Sequence, residues 1–167
     1  MKNLILINGT TGVGKTTTRR ELQKLLPQNV FFDGDWCWDM KPFIVTDETK
    51  KMVEDNICHI LNNFIDCSEL KNIIFCWVMH EEYIVENILS GLHLENTNVY
   101  KVSLICSEQA LIKRLMKDVD NGKRKIDIIE RSLMRLNNYL SMDTLKIDVS
   151  NIDSEQAAQQ IVSCIGG

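Results

Sequence analysis

Hydrophobic residues in this chain form short apolar runs that alternate with longer stretches in which they recur every three or four positions. Short apolar runs bounded by polar residues predict buried strands, and the longer recurrences predict amphipathic helices. The five predicted strands are Leu4–Asn8, Val30–Asp33, Ile73–Val78, Val99–Cys106 and Leu145–Val149. Because strands and helices alternate, we expect an α/β fold class with a parallel sheet that helices cover on both faces.

Three helices can be placed from their apolar stripes and capping residues. One follows Thr46, and its stripe consists of Val53, Ile57, Ile60, Leu61, Phe64 and Ile65. A second is expected to begin near Asp127, where Asp127 and Glu130 resemble a capping box. The leucines that it is expected to turn inward are Leu133, Leu136 and Leu140. The last helix is expected to open at Asp153, with Gln156 three residues later.

The composition fits a single compact domain over residues 1–167. The chain is 44% hydrophobic and 25% charged, which is ordinary for a soluble globular protein. No repeat, low-complexity tract or linker divides it. The formal net charge of −4 argues against a general nucleic-acid-binding protein, which usually presents a basic face.

The chain shows no sign of membrane or secretory targeting. No apolar stretch approaches the roughly 18 residues that a membrane span requires. The N-terminus lacks the charged, apolar and cleavage regions of a signal peptide. The six cysteines form no C-x-x-C pair, so they are expected to be reduced and mostly buried. We therefore expect a cytoplasmic protein without a disulfide or a zinc site.

The segment directly after the first strand carries the most specific motif. Residues Gly9 to Thr16 read G-x-x-x-x-G-K-T, the phosphate-binding loop, in its expected place between a strand and a helix. The residues expected to bind nucleotide here are Gly9, Thr10, Thr11, Gly12, Val13, Gly14, Lys15, Thr16 and Thr17. Lys15 is expected to reach the β- and γ-phosphates, and the Thr16 hydroxyl to ligate Mg²⁺. The alternative is a glycine-rich turn without a ligand.

Two aspartates close the second strand. In an open parallel sheet, ligands bind beyond the carboxyl ends of the strands, so Asp33 and Asp35 are expected on the same rim as the phosphate loop. Positions two apart in an extended chain point the same way, so both carboxylates can converge on one site. They can hold Mg²⁺ through its waters or accept a proton from an attacking hydroxyl. The alternative is that they cap the next segment, since Asp-Gly-Asp is also common in turns.

Together these features resemble the small P-loop kinases, a group that includes shikimate kinase, gluconate kinase, nucleoside monophosphate kinases and chloramphenicol phosphotransferase-like proteins. The resemblance implies a three-layer fold with a five-stranded parallel sheet in the order 2-3-1-4-5. It implies that Lys15 and Thr16 contact nucleotide and magnesium, that Asp33 contacts magnesium through water, and that Asp35 binds the acceptor or acts as the base. It also implies that the strand-five loop, with Asn151, borders the adenine.

The chain departs from the group at the end of the third strand. No clear Walker B aspartate stands there, so magnesium anchoring is expected to fall on Thr16 and Asp33. His80 and Glu81 follow this strand and are either substrate contacts or a partly exposed start to a helix. The other histidines, His59 and His93, are expected at the surface, and no spacing links the three as metal ligands.

Arginines in the second half of the chain provide candidates for stabilising the transferred phosphoryl group. The polar segment 118–126 lies between two predicted helices and is the natural lid. Arg124 is the preferred lid contact and Arg114 the next, since arginines over the phosphates stabilise the transition state. Arg131 and Arg135 share a helix face, and solvated helix charges explain at least one of them.

The expected acceptor region, from about Asp33 to His80, contains no arginine. Acceptors with an anionic group usually meet an arginine fork. The region is instead rich in aromatic residues, namely Trp36, Trp38, Phe43 and Trp77. These suit a neutral or amine-bearing acceptor, such as a nucleoside or an antibiotic-like molecule. The alternative is that the aromatics belong to the core, which is the expectation for Trp77.

The sequence therefore predicts an ATP-dependent kinase of a small-molecule hydroxyl compound that uses Mg²⁺ and is a monomer or a homodimer. The alternative from another class is a non-catalytic ATP-binding switch or partner-binding module, which the missing Walker B aspartate favours. A guanine-specific GTPase is disfavoured because no N-K-x-D motif is present.

Overall fold

The computed structural model of the chain describes residues 1–166. Its five strands are β1 (Lys2–Asn8), β2 (Asn29–Asp33), β3 (Asn72–Cys76), β4 (Thr97–Ile105) and β5 (Leu145–Asp148). They form one sheet in the order β2-β3-β1-β4-β5, and each pair of neighbouring strands is parallel. The predicted α/β class and the strand order implied by the resemblance are both confirmed.

Six α-helices connect and flank the strands within the described residues. They are α1 (Lys15–Leu25), α2 (Asp47–Asp66), α3 (Glu82–Ser90), α4 (Glu108–Asp120), α5 (Ile128–Ser141) and α6 (Ser154–Ile165). A short 3₁₀ helix, Gly34–Trp38, follows β2 directly. No helix within residues 1–166 combines the length and the apolar character that crossing a membrane requires.

Side chains on the two faces of the sheet belong to two separate cores. In β1, Ile5 and Ile7 pack with residues of α1, α4 and α6, whereas Leu4 and Leu6 pack with residues of α2 and α3. This division follows from the alternation of side chains along a strand. Helix α5 contributes to both cores and so lies across the edge between the two layers.

The predicted helix boundaries are partly confirmed. Thr46 caps α2 and Asp153 caps α6, each with a reciprocal capping box. The capping box predicted at Asp127 is wrong, because its side chain makes no capping hydrogen bond and instead pairs with Arg131 at 3.1 Å. Leu140 was expected inward but is exposed, since Tyr139 and Leu136 take the inward positions of α5.

Two further expectations need correction. Strand β3 ends at Cys76 rather than Val78, so Trp77 and Val78 lie beyond the strand on the rim of the sheet. The cysteines are not mostly buried: all six are free, but only Cys76 and Cys106 are buried. The remaining four are partly buried or exposed, because they lie on helices and in turns that cover the sheet.

Candidate nucleotide and acceptor site

The carboxyl ends of three adjacent strands bring the candidate residues together. The phosphate loop follows β1, Asp33 ends β2 and Cys76 ends β3, and Cys76 is the register partner of both Ile7 and Asp33. Because parallel strands end at the same edge, the loop and the aspartates share one rim. The site therefore lies at the carboxyl edge of three adjacent strands.

Glycines of the phosphate loop stand where a side chain does not fit. Gly9 has φ +143°, and a Cβ placed on it would lie 2.7 Å from the Leu104 carbonyl oxygen. Gly12 has φ +85°, and its Cβ would lie 2.5 Å from Leu115. Positive φ values favour glycine, and here the close neighbours exclude a side chain as well. The loop backbone is therefore held tightly against β4 and α4.

The loop and the two aspartates surround a cavity of about 290 Å³, here named the phosphate cavity. Its wall includes the loop residues Thr11, Gly12, Gly14, Lys15, Thr16 and Thr17. The opposite wall includes Asp33, Asp35, Cys76 and Trp77. Backbone N–H groups of such a loop and the positive end of the following helix together favour a phosphate.

The Lys15 side chain contacts the backbone of the phosphate loop. Its Nζ donates hydrogen bonds to the Gly9 carbonyl oxygen at 2.6 Å and to the Thr10 carbonyl oxygen at 3.1 Å. Burial lowers the pKa of Lys15 to about 8, although the negative charges of Asp35 and Asp33 act in the opposite direction. A phosphate in the cavity would compete with the carbonyls for this ammonium group and stabilise its charge.

Asp33 has a structural role and also faces the phosphate cavity. Its Oδ1 accepts a hydrogen bond of 3.0 Å from the Asp35 backbone N–H, which caps the 3₁₀ helix. Burial raises the pKa of Asp33, and the charge of Asp35 adds to this effect. Capping and functional interpretations are therefore compatible for Asp33.

The residues around the phosphate cavity fit Mg²⁺. The Thr16 hydroxyl and the Asp33 carboxylate line the same cavity and offer the oxygen ligands that this ion prefers. No cluster of three His, Cys, Asp or Glu side chains within residues 1–166 could hold a metal alone. Since Mg²⁺ usually keeps waters and takes ligands from phosphates, two protein oxygens suit it.

Cys76 occupies the end of β3, where no Walker B aspartate was found. Its thiol is buried and lines the phosphate cavity. Burial raises the pKa of Cys76 to about 12, so the thiol is neutral at physiological pH. Strand β3 therefore contributes no negative charge to the cavity.

The two candidate lid arginines lie in different places. Arg124 lines the phosphate cavity, where its Nε lies 3.3 Å from Oδ2 of Asp118. Arg114 lies behind the loop, and its guanidinium donates to the Val13 carbonyl oxygen at 3.1 Å and to that of Val149. The predicted catalytic role of Arg124 stays a prediction with a suitable position, whereas Arg114 is placed to hold the loop against β5.

A second cavity, of about 700 Å³, adjoins the first and is here named the aromatic cavity. The aromatic residues on its wall are Trp36, Trp38, Phe43, Trp77 and Tyr83. Trp77 is partly buried, packs against the core and also lines both cavities, so the expectation that it belongs to the core is only partly met. Asp35 also lines both cavities and thus stands at their junction.

The aromatic cavity contains charges that the local sequence did not indicate. Arg135 enters its wall from α5, so the absence of arginine between Asp33 and His80 does not leave the cavity without one. Lys50 adds a second positive charge, whereas the acidic residues on the wall are Asp35, Asp39 and Glu54. Of the two arginines of α5, Arg131 is the one that is exposed to solvent, where it pairs with Asp127.

His80 and Glu81 take separate positions. His80 lines the aromatic cavity, and its Nε2 lies 3.6 Å from Oε1 of Glu81. Glu81 is exposed and lies outside the lining of that cavity. The structure therefore favours His80 over Glu81 as a contact for a molecule in the cavity. His59 and His93 are exposed, as expected.

A third cavity, of about 440 Å³, lies between the loop, α4 and the loop after β5. Its lining includes Val13, Arg114, Val149 and Ile152, and it is the candidate place for the adenine of the nucleotide. Asn151 is exposed and lies outside its lining. The loop after β5 thus borders this cavity, but through the neighbours of Asn151.

Not every loop residue faces a ligand. Thr10 is buried and its Oγ1 donates a hydrogen bond of 2.7 Å to the Ser132 carbonyl oxygen on α5. Thr17 Oγ1 donates to the Gly14 carbonyl oxygen at 2.9 Å, and Gly9 lies outside the lining of the phosphate cavity. The predicted nucleotide contacts of Thr10 and Gly9 could therefore arise only through the backbone.

Two residues of the phosphate cavity, Arg19 and Asp118, were not predicted as site residues, and the role of Arg135 was left open. Arg19 lines the phosphate cavity from α1, four residues after Lys15. This spacing places it on the same helix face as Lys15 and was the available signal. The positions of Asp118 and Arg135 depend on how α4 and α5 pack, which no local pattern reveals.

The fold and the phosphate loop together define a P-loop nucleotide-binding protein. The family model described as "AAA domain" matches residues 5–135, and the chain belongs to this family. A curated relative, a "Nucleotide-binding protein" of Thermosipho africanus (strain TCF52B), is 24% identical over 178 residues. The match covers 99% of this chain, which spans only 55% of that relative's length.

Solved structures with a similar fold include three small proteins. A tunicamycin resistance protein of Deinococcus radiodurans has a TM-score of 0.73 at 24% identity, with 99% of this chain and 96% of that chain covered. A gluconokinase of Sinorhizobium meliloti 1021 has a TM-score of 0.66 at 13% identity, with 98% and 95% covered. A shikimate kinase of Acinetobacter baumannii, solved with shikimate, has a TM-score of 0.64 at 18% identity, with 99% and 93% covered. The resemblance to small P-loop kinases is confirmed in fold.

Proposed function

We propose that this protein is a kinase that transfers the γ-phosphoryl group of Mg·ATP to a hydroxyl group of a small molecule. The observation that carries the proposal is the position of Asp35, which lines both the phosphate cavity and the aromatic cavity. A carboxylate at this junction can accept the proton of an acceptor hydroxyl that faces the nucleotide. The adjoining aromatic cavity gives room for an acceptor beside the nucleotide.

Different residues of the site would bind the phosphates, bind Mg²⁺, activate the acceptor and stabilise the transition state. Backbone N–H groups of the loop and Lys15 would hold the phosphates, while Thr16 and Asp33 would hold Mg²⁺, which neutralises phosphate charge when bound. Asp35 would orient and deprotonate the acceptor hydroxyl. Arg124 would stabilise the charge that develops on the transferred group, since it already lines the phosphate cavity.

The acceptor that we propose is neutral or amine-bearing and has a flat or apolar part, as a nucleoside or an antibiotic-like molecule does. Aromatic side chains on the wall favour such a part. Three carboxylates against two basic side chains on the same wall favour an amine over an anion. Arg135 is the one feature that would suit an anionic group instead.

The experiment is the release of ADP from Mg·ATP in the presence of separate acceptors: nucleosides, amphenicols, aminoglycosides, sugars, shikimate and nucleoside monophosphates. Asp35→Asn is the test variant. Asp39→Asn is the matched control for the chemical step, because Asp39 lines only the aromatic cavity; at saturating acceptor it should retain kcat, whatever its effect on the acceptor KM. Acceptor-dependent turnover that Asp35→Asn abolishes and Asp39→Asn retains would support the kinase. Full activity of Asp35→Asn would refute the role of Asp35 as the base.

A second candidate is a non-catalytic ATP-binding switch or partner-binding module. The neutral thiol of Cys76, in place of a carboxylate at the end of β3, favours it. Tight ATP binding without turnover on any acceptor in the panel would support this candidate over the kinase. We also propose a cytoplasmic location, which fits a requirement for ATP.

A further inference from the structure

Arg19 is a basic residue of the phosphate cavity that the P-loop motif does not include. It lies on α1 one helical turn after Lys15, on the same face of the helix. It lines the cavity together with Phe31 and Asp33 of β2. The neighbouring Arg20 is exposed and does not line the cavity, as expected for the next position of a helix.

The guanidinium group of Arg19 is held in place by two neighbours. Its Nη1 donates a hydrogen bond of 2.8 Å to Oε1 of Gln23. Its Cζ lies 3.9 Å from the centre of the Phe31 ring, which is a cation–π contact. Neither neighbour neutralises its charge. The side chain is thus fixed in position while it remains cationic.

The guanidinium of Arg19 lacks a full set of partners within residues 1–166. Its enclosed Nε has no hydrogen-bond partner, and its one hydrogen bond is the bond that Nη1 donates to Gln23. No carboxylate of residues 1–166 lies within 4.0 Å of it as an ion pair, even though Asp33 lines the same cavity. A partly buried guanidinium without a paired carboxylate is costly, so an anion in the cavity that Arg19 lines would stabilise it.

The phosphate loop beside Arg19 favours a phosphate as that ligand, because its backbone N–H groups and Lys15 line the same cavity. Lys15, Arg19 and Arg124 bring three positive charges to the cavity wall, which oppose the three carboxylates of Asp33, Asp35 and Asp118, and Arg124 is already paired with Asp118. A guanidinium group can form two parallel hydrogen bonds with a phosphate, which an ammonium group cannot do. The positive charge of Arg19 thus lies in a cavity to which β3 contributes no carboxylate that could bind a metal ion.

We propose that Arg19 binds the nucleotide phosphates directly and gives ATP binding a component that does not need a divalent metal ion. This inference rests on the proposed function, since it requires that ATP occupies the phosphate cavity. It goes further by assigning a phosphate contact to a side chain outside the loop motif. Arg19 contributes to binding of the phosphates in addition to the phosphate loop and does not replace it.

The test is equilibrium binding of ATP and of adenosine, by calorimetry in EDTA without added metal ions. Arg19→Met keeps an apolar stem and removes the charge, and Arg20→Met is the matched control on the exposed face. Loss of charged hydrogen bonds to phosphate should weaken ATP binding about tenfold or more in Arg19→Met. Adenosine binding should stay unchanged, Arg20→Met should resemble the wild type, and Arg19→Lys should be intermediate.

Three results would overturn the inference. One is ATP affinity of Arg19→Met within about twofold of the wild type, with or without a lower melting temperature, which would leave Arg19 a structural role only. Another is an equal loss in Arg20→Met, which would indicate a general effect of net charge. If the wild type binds no ATP even with Mg²⁺, the proposed function fails first and the inference falls with it. If Arg19→Met does not fold, Arg19→Lys against Arg20→Lys decides in the same way.

Discussion

Thr10 and Ser132 join the phosphate loop to helix α5. The buried Thr10 hydroxyl donates a hydrogen bond of 2.7 Å to the Ser132 carbonyl oxygen, across 122 positions of sequence. Helix α5 follows the segment that carries Arg124, and it places Arg135 in the wall of the aromatic cavity. One hydrogen bond thus links the phosphate loop to the helix that carries a residue of the aromatic cavity.

Replacing Thr10 by valine should weaken this link without leaving a cavity, because the two side chains have similar shapes. Loss of a buried hydrogen bond should lower the free energy of unfolding by about 1 kcal/mol. Since α5 would be less firmly held, KM for the acceptor should rise more than KM for ATP. Chemical denaturation and steady-state kinetics measure both effects. Thr10→Ser keeps the hydroxyl and should restore most of the acceptor KM; equal behaviour of both variants would contradict the link.

Gly34 allows Trp77 to take its place between the two cavities. A Cβ on Gly34 would lie 2.5 Å from Cγ of the Trp77 ring. Gly34→Ala should therefore displace the indole and lower the free energy of unfolding by about 1–3 kcal/mol, the usual cost of overpacking. Acceptor KM should also rise, because Trp77 lines the aromatic cavity. Thermal unfolding and kinetics provide the measurement.

Gly166→Ala is the matched control for this substitution. Its Cβ would meet nothing closer than a carbonyl oxygen at 3.6 Å, so stability should hardly change. If Gly34→Ala were as stable as Gly166→Ala and kept the wild-type tryptophan fluorescence, Trp77 would not depend on the glycine.

The sheet could be predicted from sequence because its signals are local. Strands β1, β2 and β3 each contain a continuous apolar run, and the motif at Gly9–Thr16 fixes the turn between β1 and α1. The ends of elements were less predictable. The apolar run of β3 continues through Val78, but pairing ends at Cys76, so Trp77 lies on the rim and is only partly buried.

The candidate site could be predicted where one segment carries it, and less well where distant segments meet. Asp33 ends β2 and Asp35 comes two residues later, so the expectation that ligands bind beyond the strand ends placed both correctly in the lining of the phosphate cavity. Arg135 reaches the aromatic cavity only because α5 packs across the edge of the sheet. No spacing within α5 distinguishes it from Arg131, and burial in the tertiary structure decides between them.

Arg135 and Arg131 form a natural pair of variants for testing the acceptor side. Arg131 is exposed and pairs with Asp127 one turn away, an interaction worth only a few tenths of a kcal/mol. Arg135→Met should change the acceptor KM about tenfold or more, because it removes a charge from the cavity wall. Arg131→Met should leave kinetics unchanged. A lowered KM in Arg135→Met would indicate an amine-bearing acceptor, and a raised KM an anionic or hydrogen-bonding one. Equal kinetics of the two variants would exclude Arg135 from acceptor binding.

Arg124 and Arg114 should affect different kinetic constants. Arg124→Met should lower kcat by up to about 10³-fold with little change in ATP affinity, as expected for a residue that stabilises the transition state. Arg114→Met should instead weaken ATP binding and lower the melting temperature, because Arg114 joins the carbonyls of Val13 and Val149. Single-turnover kinetics and calorimetry separate the two effects. If Arg114→Met lost kcat and Arg124→Met did not, Arg114 would be the catalytic arginine.

Lys15 should make nucleotide affinity depend on pH. Burial lowers the pKa of Lys15 to about 8 in the ligand-free protein, and bound phosphate should raise it again. Below that pH the ammonium is charged in both states, so ATP affinity should be flat. Above it the free protein has lost the proton and must regain it on binding, so affinity should fall by up to tenfold per pH unit. Calorimetry between about pH 7.5 and 9.5 measures this fall.

Lys15→Arg stays charged throughout this range and should bind with a pH-independent affinity. The same decline in Lys15→Arg would assign the titration to another group.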